Sequence, residues 1–218
     1  MKITENIVLA DGGANHLYEL EDHRQSSKIK GLIGDFDCIR PEVLDFYNDL
    51  KVPVQYLSNP EMNDFAKSIE YCLENNWREI FVFGAFGGRM DQTLSYMHYC
   101  EKYSKLYPEL RITLFGQSNL MHFMKPNTTH KIRCNEKFIS KYGCGIISFG
   151  EVDSVETKGF KYNLGPEQKY SSIEWGKFIS TSNSMVDSEC SIKGNDNLFF
   201  VANYSKEMLN WLYLTIYL

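Results

Sequence analysis

Gly31-Leu32-Ile33-Gly34-Asp35-Phe36-Asp37 is the stretch on which the reading of this fold turns. An apolar run stops at a glycine and is followed at once by two carboxylates. That is the pattern of a buried strand leaving a parallel sheet at its carboxyl edge. On an extended segment the period of two points the side chains of Asp35 and Asp37 the same way. Carboxylates facing one way repel each other unless a cation lies between them, and oxygen donors with no His or Cys beside them suit Mg²⁺. Taken alone, a D-x-D run is equally compatible with a solvated turn.

Outward from this stretch, strands and helices alternate. Ile7–Ala10, Gly31–Gly34, Val54–Leu57, Ile80–Gly84 and Arg111–Phe115 read as strands. Ala14–Leu20, Pro41–Leu50, Asp64–Asn76 and Asp91–Tyr103 read as helices, with Pro41 suited to a first helical turn and Asn63 or Asp64 to a cap. In the third helix Phe65, Ile69, Cys72 and Leu73 share one face. The Ile80–Gly84 run is apolar throughout, which predicts a central parallel strand. Beyond Gly116 short strand candidates are separated by Gly, Pro, Asn and Asp: Leu120–Met124, His130–Cys134, Gly145–Phe149, Trp175–Thr181, Glu189–Lys193 and Leu198–Tyr204. The expected fold class is α/β: a mostly parallel, Rossmann-like nucleotide-binding domain at 1–117, an antiparallel β-sandwich at 118–204, and an apolar tail at 205–218. That tail is about half the length that spans a bilayer and predicts an added strand or packing segment rather than a membrane partner.

The net charge of −5 over 218 residues carries no basic footprint for nucleic acid. The six cysteines form no C-x-x-C pair, and neither they nor the five histidines show metal-ligand spacing. Free buried thiols and packing or surface histidines are expected. The polar start, Met1 to Asn6, precedes only four apolar residues, so the expected setting is cytoplasmic and reducing.

Four polar clusters follow strand candidates at similar offsets: Asp11-Gly12-Gly13-Ala14-Asn15, Asp35-Phe36-Asp37, Asn63-Asp64-Phe65 with Lys67, and Gly84 to Gln92. Ligands of parallel α/β sheets bind beyond the carboxyl strand ends, so the four clusters are expected together at one edge of one sheet. Glycine-rich turns bring backbone N–H groups to an anion, Arg89 offers a fork suited to phosphate, and the aspartates offer a metal site. A nucleoside triphosphate with Mg²⁺ fits that set, and neither a Walker loop nor a dinucleotide fingerprint is present.

These residues resemble the thiamine pyrophosphokinase family. The matching runs are ADGGAN from Ala10, GDFD from Gly34, NDFAK from Asn63, GGRMDQ from Gly87, FMKPNTTHKI from Phe123, GCGIISFG from Gly143, KGFKYNL from Lys158 and STSN from Ser180. The resemblance implies transfer of the pyrophosphoryl group of ATP to the hydroxyl of thiamine, and a homodimer with active sites at the subunit interface. It implies Asp35, Asp37 and Asp64 as Mg²⁺ ligands, with Arg89 and Asp91 also catalytic. Asp11, Asn15, Lys67 and Gln92 would bind ATP, and Tyr162, Asn163, Ser180 and Asn183 would bind thiamine. The sequence departs from the family pattern at Asn59-Pro60-Glu61, where an acidic-Gln-acidic run is usual, and at Tyr162, where Trp is common. Only nine residues precede the ADGGAN run, where the family carries a further strand and helix. The alternative expectation is therefore a non-catalytic or weakly active thiamine- or nucleotide-binding relative.

Overall fold

Strand β1 (Ile7–Ala10) and strand β2 (Ile29–Gly34) pair in parallel, with Ala10 opposite Ile33. Strand β3 (Val54–Tyr56) pairs in parallel with the other edge of β2, placing Tyr56 opposite Gly34. A computed structural model describes residues 6–20, 26–134, 143–204 and 214–217, and divides the chain into two compact units, Met1–Arg78 and Glu79–Leu218.

In the first unit the strands connect through helix α1 (Gly13–Glu19) and helix α2 (Pro41–Asp49), and β3 leads into helix α3 (Asp64–Glu74). Pro41 opens α2, where its fixed φ suits the first turn and its missing N–H removes no helical bond. Asn63 caps α3 by accepting from the Ala66 N–H at 3.0 Å. The apolar face of α3 is buried as its spacing predicts, and the Tyr71 hydroxyl donates to the Lys30 carbonyl of β2 at 2.5 Å. Leu9, Ile29, Leu32, Val43 and Tyr47 form a further core between strands and helices.

The second unit opens with strand β4 (Glu79–Phe83), helix α4 (Met90–Leu106) and strand β5 (Arg111–Phe115). Next come β6 (Asn119–Met124), β7 (His130–Cys134), β8 (Gly143–Ile147), β9 (Glu151–Val152), β10 (Val155–Lys158), β11 (Ile173–Glu174), β12 (Ser180–Ser184), β13 (Glu189–Gly194) and β14 (Leu198–Asn203). Strand β15 (Leu214–Tyr217) realises the expected added strand by pairing with β7, while 205–213 and 218 lie outside the described residues. One sheet runs β12-β8-β14-β6-β5-β4 and another β10-β13-β7-β15, with β9 and β11 as a separate pair. Alternation along β7, whose His130, Ile132 and Cys134 are buried and Lys131 and Arg133 exposed, turns one face of its sheet to the core. That core joins residues of both sheets, including Met124, Ile132, Ile146, Val155, Ile192 and Phe200.

The predicted fold class stands: a parallel α/β sheet followed by mixed and antiparallel sheets. Three local expectations are corrected. β4 is no central strand; it ends its sheet and pairs only with β5 among the described residues, leaving Phe83 exposed. Its apolar run and that of a central strand look alike, because composition reports burial tendency and not the order of partners. Consequently the cluster from Gly84 to Gln92 follows a different sheet from the other three. The Trp175–Thr181 strand is broken by a turn at Gly176 (φ 87°), after which Phe178 bridges back to Glu174. The six cysteines are all free thiols, with only Cys38 exposed. His122 and His130 are buried packing residues, whereas His23 lies outside the described residues. No helix among the described residues is long and apolar enough to cross a membrane.

Candidate active site

At the carboxyl end of the first sheet, Asp11 follows β1 with φ 37°, and its N–H donates to the Ile33 carbonyl of β2 at 2.9 Å. Its carboxylate accepts from the backbone N–H groups of Cys38 (3.2 Å) and Ile39 (3.0 Å). One turn into α1, the Asn15 side chain accepts from the Arg40 N–H and donates to the Cys38 carbonyl, both at 3.1 Å. The ADGGAN run thus clamps the loop that carries Asp35 and Asp37. Gly34, at φ 155°, lets the three segments converge. A Cβ there would lie 2.8 Å from the Asp11 Cβ and 3.2 Å from Asp64 Oδ1.

Because Asn63 starts α3, Asp64 and Lys67 stand three residues apart on one face of its first turn. The Lys67 ammonium donates to Asp64 Oδ1 at 2.9 Å and to Asp35 Oδ2 at 3.0 Å, with its side chain only 2% exposed. Burial pulls that ammonium toward neutrality, but the hydrogen bonds to Asp64 and Asp35 outweigh it and hold its pKa above the ordinary value. One oxygen of each of Asp11, Asp35 and Asp64 lies within 4.8 Å of the others. Asp35 Oδ1 is buried with no hydrogen-bond partner. A buried carboxylate oxygen without a donor, in an all-oxygen cluster, fits a hard divalent cation such as Mg²⁺.

Burial, and then the neighbouring Asp37 and Asp64, push the Asp11 carboxyl up to about 6. The Cys38 thiol, followed by Asp11, holds Asp37 below the usual carboxylate range. The hydrogen bond to Asp37, with burial, raises Cys38 to about 11, so it is a thiol and not a thiolate.

The structure therefore brings Asp11, Asn15, Asp35, Asp37, Asp64 and Lys67 to one strand edge. The carboxylates sort differently from the expected trio, however. Asp35 and Asp64 share a cluster with Asp11, whereas Asp37 groups with Asp11 and Cys38. Phe36 has φ 62°, so Asp35 and Asp37 do not lie on an extended segment and period-two alternation does not govern them. Sequence reasoning placed Asp11 with the ATP residues and missed its position among the carboxylates. The parallel pairing of Ala10 and Ile33, which no local sequence pattern announces, sets Asp11 beside Gly34.

In the second unit the Arg89 guanidinium donates to both Asp91 oxygens, at 3.1 and 2.5 Å, in an exposed pair at the start of α4. Arg89 thereby holds the Asp91 carboxyl below its ordinary range. Gln92 occupies the same first turn. Of the residues expected around thiamine, Asn183 is buried and clamps Tyr162: its amide accepts from the Tyr162 N–H at 3.0 Å and donates to the Tyr162 carbonyl at 2.8 Å. Ser180 Oγ accepts from the same amide at 3.5 Å. The Asn163 side chain instead accepts from the Phe160 N–H and the Thr157 hydroxyl. The Tyr162 ring is exposed, with the Lys161 ammonium 5.3 Å from its centroid.

Comparison with known proteins gives two family models. One is described as thiamin pyrophosphokinase, catalytic domain, and matches residues 1–114; the other, thiamin pyrophosphokinase, vitamin B1 binding domain, matches 129–199. Thiamin pyrophosphokinase 1 of Caenorhabditis elegans is 27% identical, over 94% of this chain and 80% of its own. Thiamine pyrophosphokinase 3 of Oryza sativa is 29% identical, over 81% of this chain and 69% of its own. Among solved structures, thiamin pyrophosphokinase from Candida albicans superposes with a TM-score of 0.81 at 21% identity, covering 94% of this chain and 84% of that one. The yeast enzyme superposes with a TM-score of 0.78 at 19% identity, covering 96% and 82%.

Proposed function

The chain belongs to the thiamin pyrophosphokinase family, and from that premise we propose that it transfers the pyrophosphoryl group of ATP to the hydroxyl of thiamine in an Mg²⁺-dependent reaction. The products are thiamine diphosphate and AMP. The observation that carries this reading is the carboxylate edge of the first sheet, where Asp35 keeps a buried, unpartnered oxygen beside Asp11 and Asp64.

The reaction forms a bond from the thiamine hydroxyl oxygen to the β-phosphorus of ATP. It breaks the bond from that phosphorus to the oxygen that leaves with AMP, and the hydroxyl proton passes to a base. Such transfers need positioning and charge stabilisation more than covalent help. Asp35 and Asp64, clustered with Asp11, are the proposed Mg²⁺ ligands, and Asp37, which groups with Asp11 and Cys38, is proposed as a further one. When bound, the cation would neutralise triphosphate charge and fix its orientation. Asp11 and Asn15 serve the nucleotide site by holding the 35–40 loop in shape. Arg89 is the proposed phosphate donor and Gln92 a further ATP contact. Asp91, paired with Arg89, orients that guanidinium, and Asp91 or Asp64 is the proposed proton acceptor. On the thiamine side Tyr162 offers a ring for stacking, and Ser180, Asn163 and Asn183 set the backbone around it.

We assign the nucleotide chemistry to 1–117 and thiamine binding to 118–204, with 205–218 as a tail, in a cytoplasmic homodimer whose active sites use both subunits. AMP release, measured with thiamine and Mg²⁺ each present or withheld, tests the activity. Binding of thiamine or nucleotide in a calorimeter without AMP release would instead mark a non-catalytic relative.

A further inference from the structure

Lys67 is the feature of the carboxylate edge that phosphate binding does not explain. Its side chain is only 2% exposed, and its ammonium is committed to Asp35 Oδ2 and Asp64 Oδ1. A lysine that grips phosphate must present its donors to the ligand, whereas this one is sealed between two carboxylates of its own chain. We infer that Lys67 is a fixed internal cation: it takes the place between Asp35 and Asp64 that a second divalent ion would otherwise occupy, and so sets the number of metal ions this edge can hold.

Asp11, Asp35 and Asp64 each bring an oxygen within 4.8 Å of the others. Carboxylates so close need positive charge among them. The ammonium supplies it permanently, on one side of Asp35, through Oδ2. The other oxygen, Asp35 Oδ1, is left buried and unpartnered, so it remains available to a divalent ion without displacing the lysine. The spacing that makes this possible is built into α3: Asn63 caps it, Asp64 begins it, and Lys67 lies three residues on along the same face. Lys67 is on this account a positioning residue. It holds Asp35 and Asp64 in place and makes no contact with substrate.

The inference rests on the proposed metal-binding role of the aspartates only for the first ion, and one experiment separates the two. Electron paramagnetic resonance follows free Mn²⁺ while the full chain is titrated without nucleotide. Lys67→Met should bind a further Mn²⁺ ion per chain compared with the unsubstituted protein, because Asp35 Oδ2 and Asp64 Oδ1 then face each other without a cation. Lys67→Arg should bind the same number as the unsubstituted protein. If Lys67→Met does not fold, Lys67→Gln keeps a hydrogen-bond donor without the charge and carries the same expectation. Equal Mn²⁺ counts in the neutral variant and the unsubstituted protein overturn the inference, since protonation of a carboxylate would then have replaced the lysine. A gain in Lys67→Arg overturns it too. The count in the unsubstituted protein tests the metal-binding reading by itself: no bound Mn²⁺ there contradicts that reading, while the difference between variant and parent still decides the role of Lys67.

Discussion

Gly34 and Asp11 meet so closely that a methyl group on the glycine would sit 2.8 Å from the aspartate Cβ. That contact lets the ends of β1 and β2 share one carboxylate cluster. Gly34→Ala should push Asp11 away from the N–H groups of Cys38 and Ile39, and shift the 35–40 loop with it. A displacement near an ångström costs about 100-fold in rate when the groups moved are those that position the reaction. Steady-state assay of AMP release should show a loss of that size, with a lowered melting temperature because the backbone at φ 155° is also strained by the new side chain.

Asp35→Asn removes charge from the one carboxylate that, among the described residues, has a buried, unpartnered oxygen. Mg²⁺ should raise the melting temperature of the unsubstituted protein, as any ligand of the native state does, by up to about 2.7 kcal/mol of stability at a hundredfold excess over Kd. In Asp35→Asn that rise should vanish. Thermal scans with Mg²⁺ and with a chelator check it; an unchanged rise in the variant would place the metal elsewhere.

Arg89→Lys keeps the charge but loses the two-pronged contact with Asp91. The pair is exposed, so the melting temperature should stay where it is. Activity should fall by roughly 10- to 100-fold, mainly in kcat, if the fork holds transferring phosphate. A fall in stability with unchanged kcat would reverse that assignment.

Asn183→Ala removes the amide that both accepts from and donates to the Tyr162 backbone. Loss of such buried hydrogen bonds typically costs about 1–3 kcal/mol, measurable by chemical denaturation. The KM for thiamine should rise while the KM for ATP stays nearly constant, because the clamp acts on the Tyr162 turn alone.

Acid should destabilise the second unit through His122 and His130. Burial depresses His122 from its ordinary 6.5 to about 3, and His130 to about 4. Below pH 6.5 the unfolded chain takes up protons that the folded chain refuses, so stability falls as pH drops through that value and goes on falling toward the folded pKa values. Between about pH 6.5 and pH 5 each histidine should cost roughly 1.5 kcal/mol. His122→Gln, which can still bond the Thr113 hydroxyl, should lose about half of that slope in denaturant titrations at the two pH values.

The sequence spoke most clearly where one face of an element is buried. The α3 stripe of Phe65, Ile69, Cys72 and Leu73 appears as read, and β7 spans the His130–Cys134 stretch expected as a strand. What pattern could not show was which strand neighbours which. β4 is as apolar as a central strand and yet ends its sheet. β9 and β10 went unread because Glu151–Val152 is only two residues long, and because Val155-Glu156-Thr157-Lys158 is half polar. In the site, Asp35 and Asp64 were legible from residue type and offset. The place of Asp11 among the carboxylates depends on the register of β1 against β2, and the burial of Lys67 depends on how α3 packs. Neither is a local property of the chain.

Phosphorus-31 NMR of the full chain with ATP, thiamine and Mg²⁺ follows the pyrophosphoryl group itself. Thiamine diphosphate and AMP should appear in equal amounts, with neither formed when Mg²⁺ is chelated or thiamine is withheld. Formation of ADP with thiamine monophosphate, or ATP breakdown that ignores thiamine, would contradict it.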